Sequence, residues 1–201
     1  MKQKVSDYIA DRLAQEGISQ VFTVTGGGAM HLNDSLGHHP GLSCLYHHHE
    51  QAAAMAAEAY ARVDNRMAAV CVTSGPGATN AITGALCAWM DSIPMLVLSG
   101  QVRYDTTVRH SGLKIRTMGV QEYDITPSVE PMTKYAVMVT DPLTIRYHLE
   151  RAIYLAKTGR PGPCWLDLPL NIQSAIIETD DLRAYDPKED EKELPVPVTE
   201  E

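Results

Sequence analysis

The 201-residue sequence contains no Cys-x-x-Cys pair, a single phenylalanine and no surplus of basic charge. The first absence removes the commonest zinc-ribbon and dithiol motifs. The four cysteines, at 44, 71, 87 and 164, lie in apolar stretches such as Leu42–Leu45 and read as reduced core residues. The charge deficit is local. Residues 178–201 hold ten acids and three bases, whereas residues 1–177 hold 15 acids and 14 bases, so the net −8 is −7 in the tail and −1 in the body. A nearly neutral body has nothing to hold a phosphate backbone, which excludes a nucleic-acid partner. A secretory leader is not expected either, because Asp7, Asp11 and Arg12 come too early. A cytoplasmic protein with no membrane partner is therefore expected. The uncharged run Met67–Met90 is long enough to span a bilayer. Ser74-Gly75-Pro76-Gly77 and Thr79-Asn80 interrupt it, so it reads as a buried strand, turn and helix.

Apolar periodicity supplies the architecture. Val5, Ile9 and Leu13 have helical spacing, with Gly17 as a C-terminal cap. Short apolar strands are predicted over 21–24, 42–46, 67–73, 95–98, 135–139 and 164–168. Helices are predicted over 30–36, 50–62, 78–90 and 142–157, the last capped by Asp141-Pro142. Residues 101–118 read as a long functional loop. Strands without polar alternation suit a sheet covered on both faces. The fold class expected is α/β, a doubly wound parallel six-stranded sheet with helices on both faces. Residues 1–178 form this domain. Residues 179–201, acidic and with prolines at 187, 195 and 197, read as a mobile linker toward a missing downstream domain.

In such sheets ligands bind beyond the carboxyl ends of strands. Thr25–Gly28, His47–Gln51, Thr73–Asn80 and Ser99–Gln101 qualify. Gly26-x-Gly28 and Gly75-x-Gly77 each begin a dinucleotide fingerprint, but His31 and Asn80 stand where the third glycine belongs, so two tight turns are the plainer reading. His47-His48-His49 are adjacent and would point apart, so no metal site is assigned. Glu50 opens an alanine-rich helix. Its position suits a capping acid, and it also suits an acid/base group with little beside it to solvate it.

His49-Glu50-Gln51 with Ala57–Arg62 resembles the pyrimidine-binding domain of thiamine diphosphate enzymes. Thr73–Gly84 is similar to the next signature of that family. Asp91–Pro94, Ser99–Val102, Gln121-Glu122, Gly159–Pro163 and Asp167–Pro169 continue the match in order. The resemblance covers about residues 4–172 and is nearest the acetolactate synthase group. It implies a 2-keto acid carboligase or decarboxylase acting on a substrate such as pyruvate. It implies that Glu50 hydrogen-bonds the aminopyrimidine N1′ of the cofactor and thereby assists loss of the thiazolium C2 proton. It further implies that Thr25, Gly26, Thr73, Pro76 and Asn80 line the pyrimidine and that Gln121 lies near the substrate.

Synthase-type members usually carry Pro in place of Thr25 and Phe in place of Val120, and the 101–121 loop looks longer here. These differences bear on substrate identity. Residues 25–37 resemble relatives from surface-polysaccharide pathways, which leaves a two-carbon transfer to a keto sugar as an alternative. The family's Gly-Asp-Gly and Asn-Asn strings, which hold Mg2+ and the diphosphate, are absent from this sequence. The chain is thus expected to be the first domain of a roughly three-domain enzyme, inactive by itself. Mg2+ would be supplied by the missing diphosphate domain, with room for FAD in a middle one. A split-enzyme half or a noncatalytic partner subunit are the alternatives. Gly77, Ala81, Gly84, Ala85 and Ala88 form a stripe of small residues suited to a second helix or to this chain's own sheet. The resemblance favours the former, hence a homodimer or higher homo-oligomer.

Overall fold

A computed structural model describes residues 1–64 and 66–191. The chain runs β1 (Lys2–Lys4), α1 (Val5–Gln15), β2 (Gln20–Thr23), α2 (Met30–His38), β3 (Ser43–Tyr46), α3 (Glu50–Asp64) and β4 (Ala68–Val72). It continues through α4 (Pro76–Asn80), α5 (Ile82–Met90), β5 (Met95–Gln101), α6 (Val108–Ser111), α7 (Thr126–Val129) and β6 (Tyr135–Met138). The last elements are α8 (Ile145–Lys157), β7 (Pro163–Pro169), α9 (Leu170–Gln173) and β8 (Ile176–Glu178). The six central strands are parallel, in the order β3-β2-β4-β5-β7-β6. Connections leave β2 on one side and return past it to β4, so the sheet is doubly wound and its switch point lies between β2 and β4.

Side-chain alternation divides the core. Ala69, Cys71, Leu96, Leu98, Cys164 and Leu166 face the layer of α1, α2 and α8; Val70, Val97 and Trp165 face the layer of α3 and α5. Both faces are buried, which is why these strands read as continuous apolar runs. All four cysteines are free, and burial pushes the Cys71 and Cys164 thiols up to about 12.

Three elements differ from the sequence reading. The helix expected over 78–90 is two helices starting at Pro76 and broken at Ala81, whose N–H turns back to Ala78 O. The small-residue stripe faces inward: Ala81, Ala85 and Ala88 are fully buried, and a Cβ on Gly84 would lie 2.5 Å from Ala54 Cβ. The stripe therefore brings α5 against α3 of the same chain and is not a surface for a second copy.

The third difference is the acidic segment. β8 pairs antiparallel with β1, and the residues after it pack on α8 as far as they are described; residues 192–201 lie outside the described residues. Leu182, Tyr185 and Asp190 are buried. The Arg151 guanidinium forks onto Asp190 (2.7 and 2.8 Å), Tyr185 Oη donates to Asp190 Oδ2 (2.8 Å), and Tyr185 N–H donates to Glu150 Oε2 (2.9 Å). Net charge suggests self-repulsion, but Asp190 has a cationic partner on α8, Glu189 pairs with Arg183 and Asp180 with the N-terminal ammonium. Arg151 holds the Asp190 carboxyl below the usual carboxylate range. This contribution is complete above the ordinary carboxylate pKa and is lost as pH falls through the lowered native value. Breaking a buried pair from one side is costly, so Arg151→Met should cost about 2 kcal/mol and open residues 182–191 to limited proteolysis. An unchanged cleavage pattern would show that the apolar contacts of Leu182 and Tyr185 suffice.

Candidate functional site

Four turns converge at the carboxyl edge around the switch point. The turn after β2 is pinned from several sides. Gly28 N–H donates to Thr73 Oγ1 (3.0 Å), Asn33 Nδ2 to Gly26 O (3.3 Å), and Gln173 Nε2 to Gly28 O (2.7 Å). A Cβ on Gly26 would lie 2.4 Å from Thr73 Cβ, and one on Gly100 would lie 2.1 Å from Gly28 O. These approaches require glycine for lack of space. Thr25 is exposed on the same turn.

Glu50 is half-buried at the start of α3. Its Oε2 accepts from Asn80 Nδ2 at 2.9 Å. A Cβ on Gly77 would come within 3.4 Å of its Oε1 and 2.7 Å of Thr73 Cγ2. The capping position is filled by another residue: His49 Nδ1 accepts from Gln51 N–H at 3.1 Å. The carboxylate is thus turned away from its own helix end and toward the turn after β4. Pro76 begins α4 and is exposed, and Gly75 before it has φ +57°.

Gln121 closes the cleft on the far side. A Cβ on Gly75 would lie 2.3 Å from Gln121 O, and a cleft of about 260 Å³ is lined by Gly75, Pro76, Thr79, Gln121, Glu122 and Tyr123. Gln121 itself has φ +58°, a left-handed conformation that non-glycine residues seldom hold without support.

The site residues expected from sequence therefore fall into two touching groups. Thr73 packs against Gly26 and Gly77, Glu50 reaches Gly77 and Asn80, and Pro76 and Gln121 flank Gly75. A model of the thiamine pyrophosphate enzyme N-terminal TPP binding domain matches residues 3–122. The chain belongs to this family. It is 35% identical over 189 residues to the acetolactate synthase large subunit of Haemophilus influenzae, covering 90% of this chain and 32% of that protein. It is 39% identical over 167 residues to the acetolactate synthase large subunit of Buchnera aphidicola subsp. Schizaphis graminum (83% and 28%). It is 35% identical over 177 residues to acetolactate synthase 1, chloroplastic, of Oryza sativa (87% and 26%). The chain spans less than a third of the length of these relatives.

Two features of this thiamine pyrophosphate-binding domain escaped the sequence reading. One is Glu122. Its Oε1 accepts from Val108 N–H (2.6 Å), and its Oε2 from Met118 N–H (2.8 Å) and Gly119 N–H (2.9 Å). One carboxylate thus ties both ends of the 108–119 loop beside Gln121. A Gln amide has one acceptor oxygen for these three donors. Glu122→Gln should therefore cost about 1–2 kcal/mol and raise opening of the loop roughly tenfold. Amide hydrogen exchange at Met118 and Gly119 measures this, and unchanged protection would show that the loop is held elsewhere.

The other is a buried polar chain beneath the loop. Trp165 Nε1 donates to Ser99 Oγ (2.8 Å), Ser99 Oγ to Asp167 Oδ1 (2.6 Å), and Gln101 Nε2 to both Asp167 Oδ2 (3.1 Å) and Tyr123 O (2.7 Å). Asp167 is fully buried, and loss of water pushes its carboxyl up to about 7 against the opposing pull of Ser99 and Gln101. Among the described residues, no group of three or more His, Cys, Asp and Glu side chains is placed to hold a metal, and no helix is long and apolar enough to cross a membrane.

Proposed function

We propose that this chain is the pyrimidine-binding part of a thiamine diphosphate-dependent carboligase that joins 2-keto acids, with pyruvate as donor and acetolactate as product. The observation that carries the reading is the Glu50 carboxylate, uncommitted to its own helix, bonded by Asn80 and set beside Gly77 of the turn after β4. The donor set fits an aminopyrimidine: the carboxylate is a proton-exchanging group and the amide a fixed dipole. Gly26 and Gly77 let the Thr73 side chain pack against both turns, which fixes the backbone beside Glu50.

Bound thiamine diphosphate supplies a carbon nucleophile once its thiazolium C2 proton is lost. Glu50 would hold and exchange a proton at the pyrimidine ring nitrogen. Asn80 would orient Glu50. Gly26, Thr73, Pro76 and Thr25 would bound the ring, with Thr25 and Val120 at the substrate end, and Gln121 would meet the keto acid. Mg2+ and the diphosphate would be held by a further domain, with FAD in a middle one, and the working unit would be a homodimer or higher homo-oligomer. The isolated chain is expected to be inactive, because it offers no residues for the diphosphate. The decisive assay is acetolactate formation from pyruvate by the protein assembled with its diphosphate-binding domain, and its dependence on Glu50. Turnover that survives loss of the carboxylate would end this reading.

A further inference from the structure

Two signature turns take no part in the cleft. Asp91–Pro94 precedes β5 and Gly159–Pro163 precedes or begins β7, so both lie at the amino edge of the sheet, opposite the cofactor edge. Arg160 joins them. Its Nε donates to Ser92 Oγ (2.7 Å) and its Nη2 to Met90 O (3.1 Å), across a turn in which Ser92 has φ +62°. Beside this joint lies a cavity of about 230 Å³ lined by Trp89, Lys134, Arg160 and Pro161. A Cβ on Gly162 would touch the Lys134 chain at 3.3 Å and the Trp89 ring at 3.6 Å, so glycine there lets these two cavity walls pack closely on the turn.

The cavity walls are largely apolar, and their polar contribution comes from two cations. Arg12, Arg62 and Arg151 each have a carboxylate partner, but among the described residues neither Lys134 nor Arg160 has one within 4.0 Å. Among the described residues Lys134 donates only to Thr158 O, and partial burial lowers its affinity for the proton. A half-buried ammonium without a counter-ion is an unfavourable arrangement that an incoming anion relieves. Arg160, already oriented by two hydrogen bonds, offers its remaining N–H groups to a carboxylate at low entropic cost. The volume is below the roughly 300–1,000 Å³ of drug-sized sites, which limits an occupant to about one ring.

We propose that this cavity binds a small aromatic carboxylate, its acid group between Lys134 and Arg160 and its ring against Trp89 and Pro161. The site is separate from the cofactor cleft, and its existence does not depend on the function proposed for that cleft.

Sodium benzoate is the probe, titrated into the chain at constant ionic strength. Trp165 is fully buried and Trp89 is 39% exposed, so intrinsic fluorescence reports on the cavity. A saturable change with a dissociation constant of about 1 mM is expected, near −4 kcal/mol. Benzamide, of the same shape without charge, should bind at least about tenfold more weakly, and so should acetate, which lacks the ring. Lys134→Met should weaken benzoate by about tenfold or more while far-ultraviolet circular dichroism stays unchanged. Arg160→Gln is less informative alone, because Arg160 also braces the two turns. Trp89→Phe should abolish the optical change. The absence of saturation, equal binding of benzamide, or full affinity in Lys134→Met would overturn the proposal. A benzoate signal that tracks dissociation of an oligomer in light scattering would overturn it too, since the occupant would then be a second copy of the chain.

Discussion

Replacing Glu50 by Gln in the assembled enzyme is expected to slow cofactor C2 proton exchange, and with it turnover, by at least about 10²-fold. That is the lower end of what a placed general acid or base contributes. Gln keeps the length of the side chain and can still meet Asn80, but it cannot gain and lose a proton. Helix stability gives the competing explanation. A carboxylate at a helix N-terminus is worth about 0.3–1 kcal/mol through the dipole, with no effect on chemistry. The structure weakens that rival, because the free N–H of Gln51 is already taken by His49 Nδ1 and the carboxylate bonds Asn80. Melting temperature and exchange rate should therefore separate, with the first nearly unchanged and the second much reduced. A lower melting temperature with wild-type exchange would make Glu50 a helix-end acid and nothing more.

Asp167→Ala should give the largest loss of stability, about 3 kcal/mol at pH 5. It strands the Ser99 hydroxyl and one Gln101 N–H in the core and leaves a small void. The loss should shrink at higher pH. Burial raises the Asp167 carboxyl from 3.8 to about 7. Between these values the native protein keeps a proton that the unfolded chain has released, so wild-type stability falls as pH rises from about 4 to about 7 and levels off above. The alanine variant lacks this slope. Urea unfolding at pH 5 and pH 8 measures both effects. A difference between the two proteins that is constant across that range would mean that Asp167 stays ionised throughout.

The sheet was legible because both its faces are covered. Residues 68–72 and 95–98 are so uniformly apolar that no other element suits them. The turn-borne site residues were legible as well, since glycines bracket them and a family signature runs through them. The order β3-β2-β4-β5-β7-β6 lay beyond periodicity, because no local pattern tells which strand neighbours which. Lys2–Lys4 and Ile176–Glu178 were missed as strands because three residues carry too little signal. The acids after Glu178 were read by their net charge, whereas their fate depends on Arg151 and Tyr185, partners 39 and 5 residues from Asp190. In the sequence Glu122 stands out only as half of a Gln-Glu pair. Its grip on Val108, Met118 and Gly119 needs a loop closed over 14 residues, which sequence spacing does not announce.

The β1–β8 ladder has a mechanical consequence. Lys2 lies opposite Glu178, Gln3 opposite Ile177 and Lys4 opposite Ile176, so residues 1 and 179 lie side by side at one end of the ladder. A tension drawn between those two points would act across the ladder and not along it. It would peel the pairs apart in succession like a zipper, starting at Lys2 and Glu178, and each step would resist with only the bonds at the fork. The parallel strands behind would stay unloaded until the seam had opened. The seam ends at Ile176, close in the chain to Gln173, whose Nε2 holds Gly28 O, so a force that opened it fully would next reach the turn after β2.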